Sequence, residues 1–159
     1  MENKTNVMRI LDKAKIKYNF LESKEKSFTS AENICEKLNI DSERDFKTLV
    51  TIGKSNMNYV FCIPASKSLD FKKAAKAVNE KNIEMIPLKE LLKTTGYEHG
   101  GCSPIGMKKQ FKTIFDVSAK KFDKIYFSAG KINKIIEISV NDIPKVIKCF
   151  FEDIVKDNQ

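Results

Sequence analysis

Apolar residues recur along this chain with two different periods, and the switches between them mark its elements. From Asn6 to Lys15, Val7, Ile10, Leu11 and Ala14 fall at helical spacing, and Thr5 or Asn6 can cap the start. An amphipathic helix is predicted there, followed by a short strand around Tyr18 to Leu21. Thr29 and Glu32 have the spacing of a capping box, Ile34 and Leu38 share one apolar face, and Asn39 suits a left-handed stop. These residues predict a second helix over about Ser30 to Leu38. The period then shortens to two. Phe46, Thr48, Val50 and Ile52 alternate with Lys47, Leu49 and Thr51, a polar turn covers Gly53 to Asn56, and Tyr59 to Ile63 is mostly apolar. That pattern predicts a β-hairpin.

Asp70 can cap a helix carrying Phe71, Ala74, Ala75 and Val78, and a brief strand is expected at Ile83 to Ile86. Pro87 suits the first residue of a short helix ending near Thr94, because proline's missing N–H is unneeded there. Further strands are expected at Lys112 to Asp116, Lys124 to Ser128 and Ile135 to Val140. A last helix is expected from Asn141, with Ile143, Val146, Ile147, Phe150, Phe151 and Ile154 as one stripe. No repeat, low-complexity tract or linker separates these elements. They predict one mixed α/β domain over residues 1–159.

Composition narrows the setting. A chain of 159 residues, 42% hydrophobic, can bury one sizeable core. No stretch approaches the roughly 20 apolar residues of a membrane span, and Met1 to Lys15 lacks a signal peptide's apolar centre, so a cytoplasmic protein is expected. Cys35, Cys62, Cys102 and Cys149 form no Cys-x-x-Cys pair and read as reduced thiols, with neither a disulfide framework nor a zinc site. The net charge of +8 is compatible with a polyanionic partner, and equally with a solvated lysine-rich surface. All basic residues except Arg9 and Arg44 are lysines, so the bidentate forks that read bases in duplex DNA are scarce.

Candidate chemistry concentrates in one long loop. Residues Thr95 to Lys109 hold Gly96, Gly100, Gly101 and Gly106, four of the chain's six glycines. Such a loop can bring backbone N–H groups close to an anion or a developing oxyanion, although a surface turn has the same composition. It matches neither a Walker loop nor a dinucleotide fingerprint. His99 and Cys102 sit three apart in it, but no orienting carboxylate is identifiable, and a lone loop histidine usually faces solvent. As the only histidine, His99 also argues against a histidine-based metal site. Lys47 lies within an apolar strand, where it could anchor a phosphate or carboxylate or simply face outward. Ser128, Ala129 and Gly130 could supply a hydroxyl and N–H groups, or only end a strand.

Taken together, Phe46–Lys47–Thr48–Leu49, Leu69–Asp70 with Lys72–Lys73, Thr95–Gly96–Tyr97 before Gly100–Gly101–Cys102–Ser103–Pro104–Ile105–Gly106, then Asp116, Ser128 and Gly130, resemble the YbaK family in order and spacing. The resemblance implies kinship with the editing insertion of bacterial prolyl-tRNA synthetases, and a mixed, partly barrel-like β-sheet surrounded by helices. It also implies hydrolysis of Cys-tRNA, notably Cys-tRNA(Pro) and with it Cys-tRNA(Cys). Two alternatives stand beside it: another specificity such as Ala-tRNA(Pro), and a non-catalytic aminoacyl-tRNA-binding module. The resemblance assigns Lys47, Gly101 and Ser128 to catalysis, and Phe28, Thr48, Tyr97, Gly100, Ser103, Pro104 and Gly130 to substrate binding. No cofactor or metal is implied, because the substrate's own thiol attacks its ester. The implied partners are aminoacyl-tRNA and prolyl-tRNA synthetase, with no membrane or DNA. The chain departs from the family pattern at Ala129, where glycine is common, and at Ile135, where aspartate is common.

Overall fold

The computed structural model describes residues 4–24 and 27–157. The first helix, α1 (Asn6–Lys13), starts where the Thr5 side chain accepts the Met8 N–H at 3.2 Å, and it buries Val7, Met8 and Leu11. Strand β1 (Tyr18–Glu22) follows. In α2 (Ala31–Leu38) the cap is Ser30, whose Oγ accepts the Asn33 N–H at 3.0 Å, so the box expected from Thr29 and Glu32 sits one residue off. Asn39 ends this helix in the left-handed region, as its sequence suggests. The hairpin forms as β2 (Phe46–Gly53) and β3 (Asn58–Pro64), and Asp70 caps α3 (Phe71–Val78) through the N–H groups of Lys72 and Lys73. After β4 (Ile83–Met85), Pro87 leads into a 3-10 turn (Leu88–Glu90) and the short α4 (Leu91–Thr95).

The remaining strands are β5 (Lys112–Asp116), β6 (Lys124–Lys131), β7 (Lys134–Ser139) and β8 (Cys149–Glu152). They make two sheets: a three-stranded one in the order β1-β7-β6 and a five-stranded one in the order β4-β2-β3-β5-β8. Strands β3, β5 and β8 run parallel, and the other pairings are antiparallel. The mixed α/β class expected from the sequence is what forms. A parallel bridge between Asp45 and Tyr126 links the sheets, but among the described residues the strands do not close into a barrel. Between the sheets lies the larger core, in which Phe115 meets Phe46 and Phe127 at ring separations of 6.3 and 6.2 Å. A smaller core, with Phe61, Ile63 and Ile114, lies under α3.

The expected final helix does not form. Val140–Lys145 is a 3-10 segment with Pro144 inside it, and Cys149–Glu152 is a strand parallel to β5. Proline lacks the N–H that would continue an α-helix and its ring crowds the preceding turn. Beyond it the burial period is two, with Cys149 and Phe151 turned inward and Phe150 and Glu152 outward. Phe151 packs on Phe115 at 5.8 Å. Strand β6 is also longer than expected, so Ser128, Ala129 and Gly130 lie within it, at a bulge, instead of ending it.

Candidate functional site

Alternation along β2 sends Phe46 into the core and places its neighbours Asp45 and Lys47 against a cleft of about 290 Å³. Residues before and within α2, including Phe28, Ser30 and Ile34, form one wall. Leu91 and the glycine loop through His99, Gly100 and Cys102 form another, and Ser128 and Ile135, which are register partners on β6 and β7, complete it.

Lys47 is half-buried, and its ammonium donates to the carbonyl oxygen of Ala65 at 3.2 Å. The Ala65 N–H donates to the Asp45 carbonyl oxygen at 2.7 Å, so the backbone of one residue, Ala65, is tied to both Asp45 and the lysine. Burial pushes the Lys47 amine below its ordinary value, opposed by the charges of Glu32 and Asp45. Asp45 is 4% exposed and accepts from the Cys35 thiol at 3.3 Å. Burial pushes its carboxyl up to about 6, against the pull of that hydrogen bond and of Lys47. The Cys35 thiol is in turn pushed far up by burial and by Asp45. Cys102 is buried and pushed up to about 12 for the same first reason.

Of the residues singled out in the sequence, Lys47, Thr48, Phe28, Gly100 and Ser128 meet at this cleft. Phe28 lies against Gly100, where an added Cβ would come within 2.5 Å of the ring, and it meets His99 edge-on at 5.2 Å. Gly101, Tyr97, Ser103, Pro104 and Gly130 are not among the lining residues; they hold the loop. The Gly101 N–H, expected to face a carbonyl, instead donates to Glu98 within the loop at 2.9 Å. At Gly101 a Cβ would lie 2.9 Å from the backbone nitrogen of Ile132, so the loop rests directly on the β6–β7 turn. Tyr97 donates its hydroxyl to the Ile105 carbonyl, and buried Ser103 accepts the Ile105 N–H at 3.3 Å. Pro104 is buried beside it, and Gly130, at φ +100°, lets Tyr97 approach β6. Asp45, Ile34 and Leu91 are lining residues that the sequence did not single out. Asp45 could have been found, because it lies two residues from Lys47 and so shares its strand face.

The sequence profile of the aminoacyl-tRNA editing domain matches residues 25–146. This chain belongs to that family. A relative from Enterococcus faecalis that carries the name Cys-tRNA(Pro)/Cys-tRNA(Cys) deacylase EbsC is 43% identical over 154 residues, 96% of this chain and 94% of its own length. The uncharacterized protein YwhH of Bacillus subtilis is 26% identical over 119 residues, 75% of each chain. Among solved structures, a hypothetical protein superposes with a TM-score of 0.85 at 19% identity, covering 96% of this chain and 100% of that one. A protein described as a trans-editing enzyme for prolyl-tRNA synthetase gives 0.80 at 17% identity, covering 96% and 98%. At these identities the structural likeness is one of fold.

Within this editing domain, Asp45 should leave a signature in stability against pH. Its folded pKa of about 6 lies above the ordinary value of 3.8, so folding takes up a proton between those two values. Stability is then greatest below about 4 and falls as pH rises through about 6. Asp45→Asn removes this loss. It should be more stable than the parent at pH 7 by about 3 kcal/mol and gain little at pH 4. Chemical unfolding at the two pH values checks this, and an equal difference at both contradicts it.

Proposed function

We propose that this editing-domain protein is a single-domain hydrolase that acts in trans on cysteine misattached to proline tRNA, Cys-tRNA(Pro), and also takes Cys-tRNA(Cys). The observation that carries the reading is the cleft in which the partly desolvated ammonium of Lys47 and the Gly100 segment of the loop face a common space. Its thiol, Cys102, is held protonated by burial, and Asp45, the one carboxylate among the described residues lining it, is engaged by Cys35. That wall suits a substrate that brings its own nucleophile. The cysteine thiol attacks its ester carbonyl; the sulfur–carbon bond forms, the carbon–oxygen bond to the ribose breaks, and the thiol proton passes to the ribose oxygen. The product is free tRNA and a cyclic cysteine thioester, which water opens. Such a reaction needs positioning and charge more than a protein base.

In this reading Lys47 pins the anionic acceptor end, and Phe28, Thr48, Gly100 and Ser128 shape the space around the aminoacyl ester. Tyr97, Gly101, Ser103, Pro104 and Gly130 act by fixing the loop. No cofactor or metal is required. Prolyl-tRNA synthetase is the partner from which the mischarged tRNA comes, and the reaction takes place in the cytoplasm. In support, no helix among the described residues is long and apolar enough to cross a membrane.

The mechanism predicts that a seryl ester on the same tRNA is cleaved roughly 10²-fold or more slowly than the cysteinyl ester, since the hydroxyl is the poorer internal nucleophile. Deacylation rates across Cys, Ala, Ser and Pro esters check it. Equal Cys and Ser rates would replace thiol attack with attack by water, preferential release of alanine would select the Ala-tRNA(Pro) specificity, and tight binding without release of any ester would select the binding module.

A further inference from the structure

Two clefts just beyond the end of the glycine loop share Gln110, Phe111 and Lys112. One also includes Lys148 and Phe150, and the other includes Lys109, Met57 and Tyr59. The strands converge there with one polarity. Lys112 opens β5 and Lys148 immediately precedes β8, whereas Asp116 and Glu152 pair at the other end of the same ladder. Among the described residues, neither cleft is lined by an acidic one.

The cations of this face differ from the chain's ion-paired lysines in their partners. Elsewhere Lys4 pairs with Asp12, Lys73 with Asp153 and Asp157, and Lys145 with Asp142. Among the described residues Lys109, Lys112 and Lys148 make no ion pair, and all three are exposed. Instead, the ammonium groups of Lys112 and Lys148 both lie over the 39%-exposed ring of Phe150, at 5.2 and 5.9 Å from its centre. A ring holds a cation without neutralising it. The two charges are therefore held at one ring, with less rotamer freedom to lose on meeting an anion and no carboxylate among the described residues to displace.

We propose that the Lys109–Lys112–Lys148 face around Phe150 is an RNA-backbone contact that holds the body of the tRNA while its charged end occupies the Lys47 cleft. Lysines act as point charges on phosphates and carry no base code, and neither arginine lies at either cleft. The contact is thus sequence-independent. The inference rests on the proposed tRNA substrate, and β5 connects the two places: Phe115 pairs with Cys62 beside the Lys47 end of the hairpin, and Lys112 pairs with Tyr59. Lys47 pairs with Ile63, so Lys112 stands four residues (about 13 Å) along and two strands (about 10 Å) across, roughly 16 Å in all and within the width of an RNA duplex.

The test is binding of uncharged tRNA to the full chain, measured by filter retention across a salt series. Lys112→Gln with Lys148→Gln should weaken binding about tenfold or more near 0.1 M salt and reduce the slope of log affinity against log salt by about 2, one per lost phosphate contact. Lys72→Gln with Lys76→Gln, an equal charge change on α3, should leave the slope near that of the parent. An unchanged slope in the Lys112/Lys148 variant with its melting midpoint intact overturns the proposal, as does an equal loss in the α3 variant, which would make net charge the cause. Lost affinity for prolyl-tRNA synthetase with tRNA binding intact also overturns it and gives the face to a protein. Because the RNA used is uncharged, a parent protein that fails to release cysteine refutes the proposed hydrolysis without touching this result.

Discussion

Lys47→Met is expected to lower kcat/KM for Cys-tRNA by about 10²–10³-fold while the protein stays folded, the size of effect seen when one pre-placed charge or donor is removed from a water-poor site. Methionine keeps the apolar stem that runs along β2 and removes only the ammonium. Folding should survive because the group is a partial liability: burial already lowers its amine pKa, and its ammonium donates to the Ala65 carbonyl at a long 3.2 Å. Lys47→Arg should not restore the rate, since a planar guanidinium cannot occupy the space of a compact ammonium between Asp45 and Ala65. Single-turnover deacylation paired with a melting curve reads both parts. Normal turnover by Lys47→Met would remove the lysine from the chemistry, and a collapsed melting curve would show that its role is structural.

Gly101→Ala should give the second-largest effect, through geometry alone. Its Cβ would stand 2.9 Å from the Ile132 nitrogen and 3.0 Å from the Lys131 carbonyl carbon, and backbone atoms cannot swing aside as a side chain can. The loop must lift from the β6–β7 turn, at a cost of about 1–3 kcal/mol, the usual range for overpacking. The melting midpoint should fall by roughly 3 to 10 °C for a chain of this size. Gly100 and Cys102 move with it, and a displacement near 1 Å in a positioning wall can cost about 10²-fold in rate. Gly96→Ala separates the two consequences. Gly96 has φ +88° at the end of α4, so alanine is strained there, but its Cβ would meet only the flexible Lys108 side chain, 3.2 Å away. It should lose stability and keep its rate. If Gly101→Ala keeps its rate too, the loop does not position the substrate.

Local chemistry made most of the elements legible. Thr5, Asp70 and Asn39 act at the helix ends where their side chains suggested, and the two-residue period of Phe46 to Ile52 fixed the hairpin and the face on which Lys47 lies. The final helix was misread because Ile143, Val146, Ile147, Phe150, Phe151 and Ile154 satisfy a helical stripe on paper. What decided the matter was Pro144 and a parallel partner more than 30 residues upstream, and periodicity is blind to the second. The site divided in a similar way. Residues on β2 and in the glycine loop could be named in advance, since each belongs to a locally distinctive string. Ile34 and Leu91 became lining residues only when two helices folded over the cleft, and nothing in their own segments marks them. Gly101 shows the converse: its local string suggested an N–H aimed at a ligand, but tertiary packing turned that N–H toward Glu98.

Cys102 decides what this protein can be poisoned by. A thiol that is 9% exposed and pushed up to about 12 by burial stays overwhelmingly protonated in neutral water, so it would be a very poor acceptor for an acyl group held in the proposed cleft. An ionised sulfur at that position would capture the ester and leave the catalyst covalently blocked after one cycle. The same protonation should spare Cys102 from iodoacetamide and peroxide, leaving half-buried Cys149, pushed up less, to about 11, as the first thiol to react.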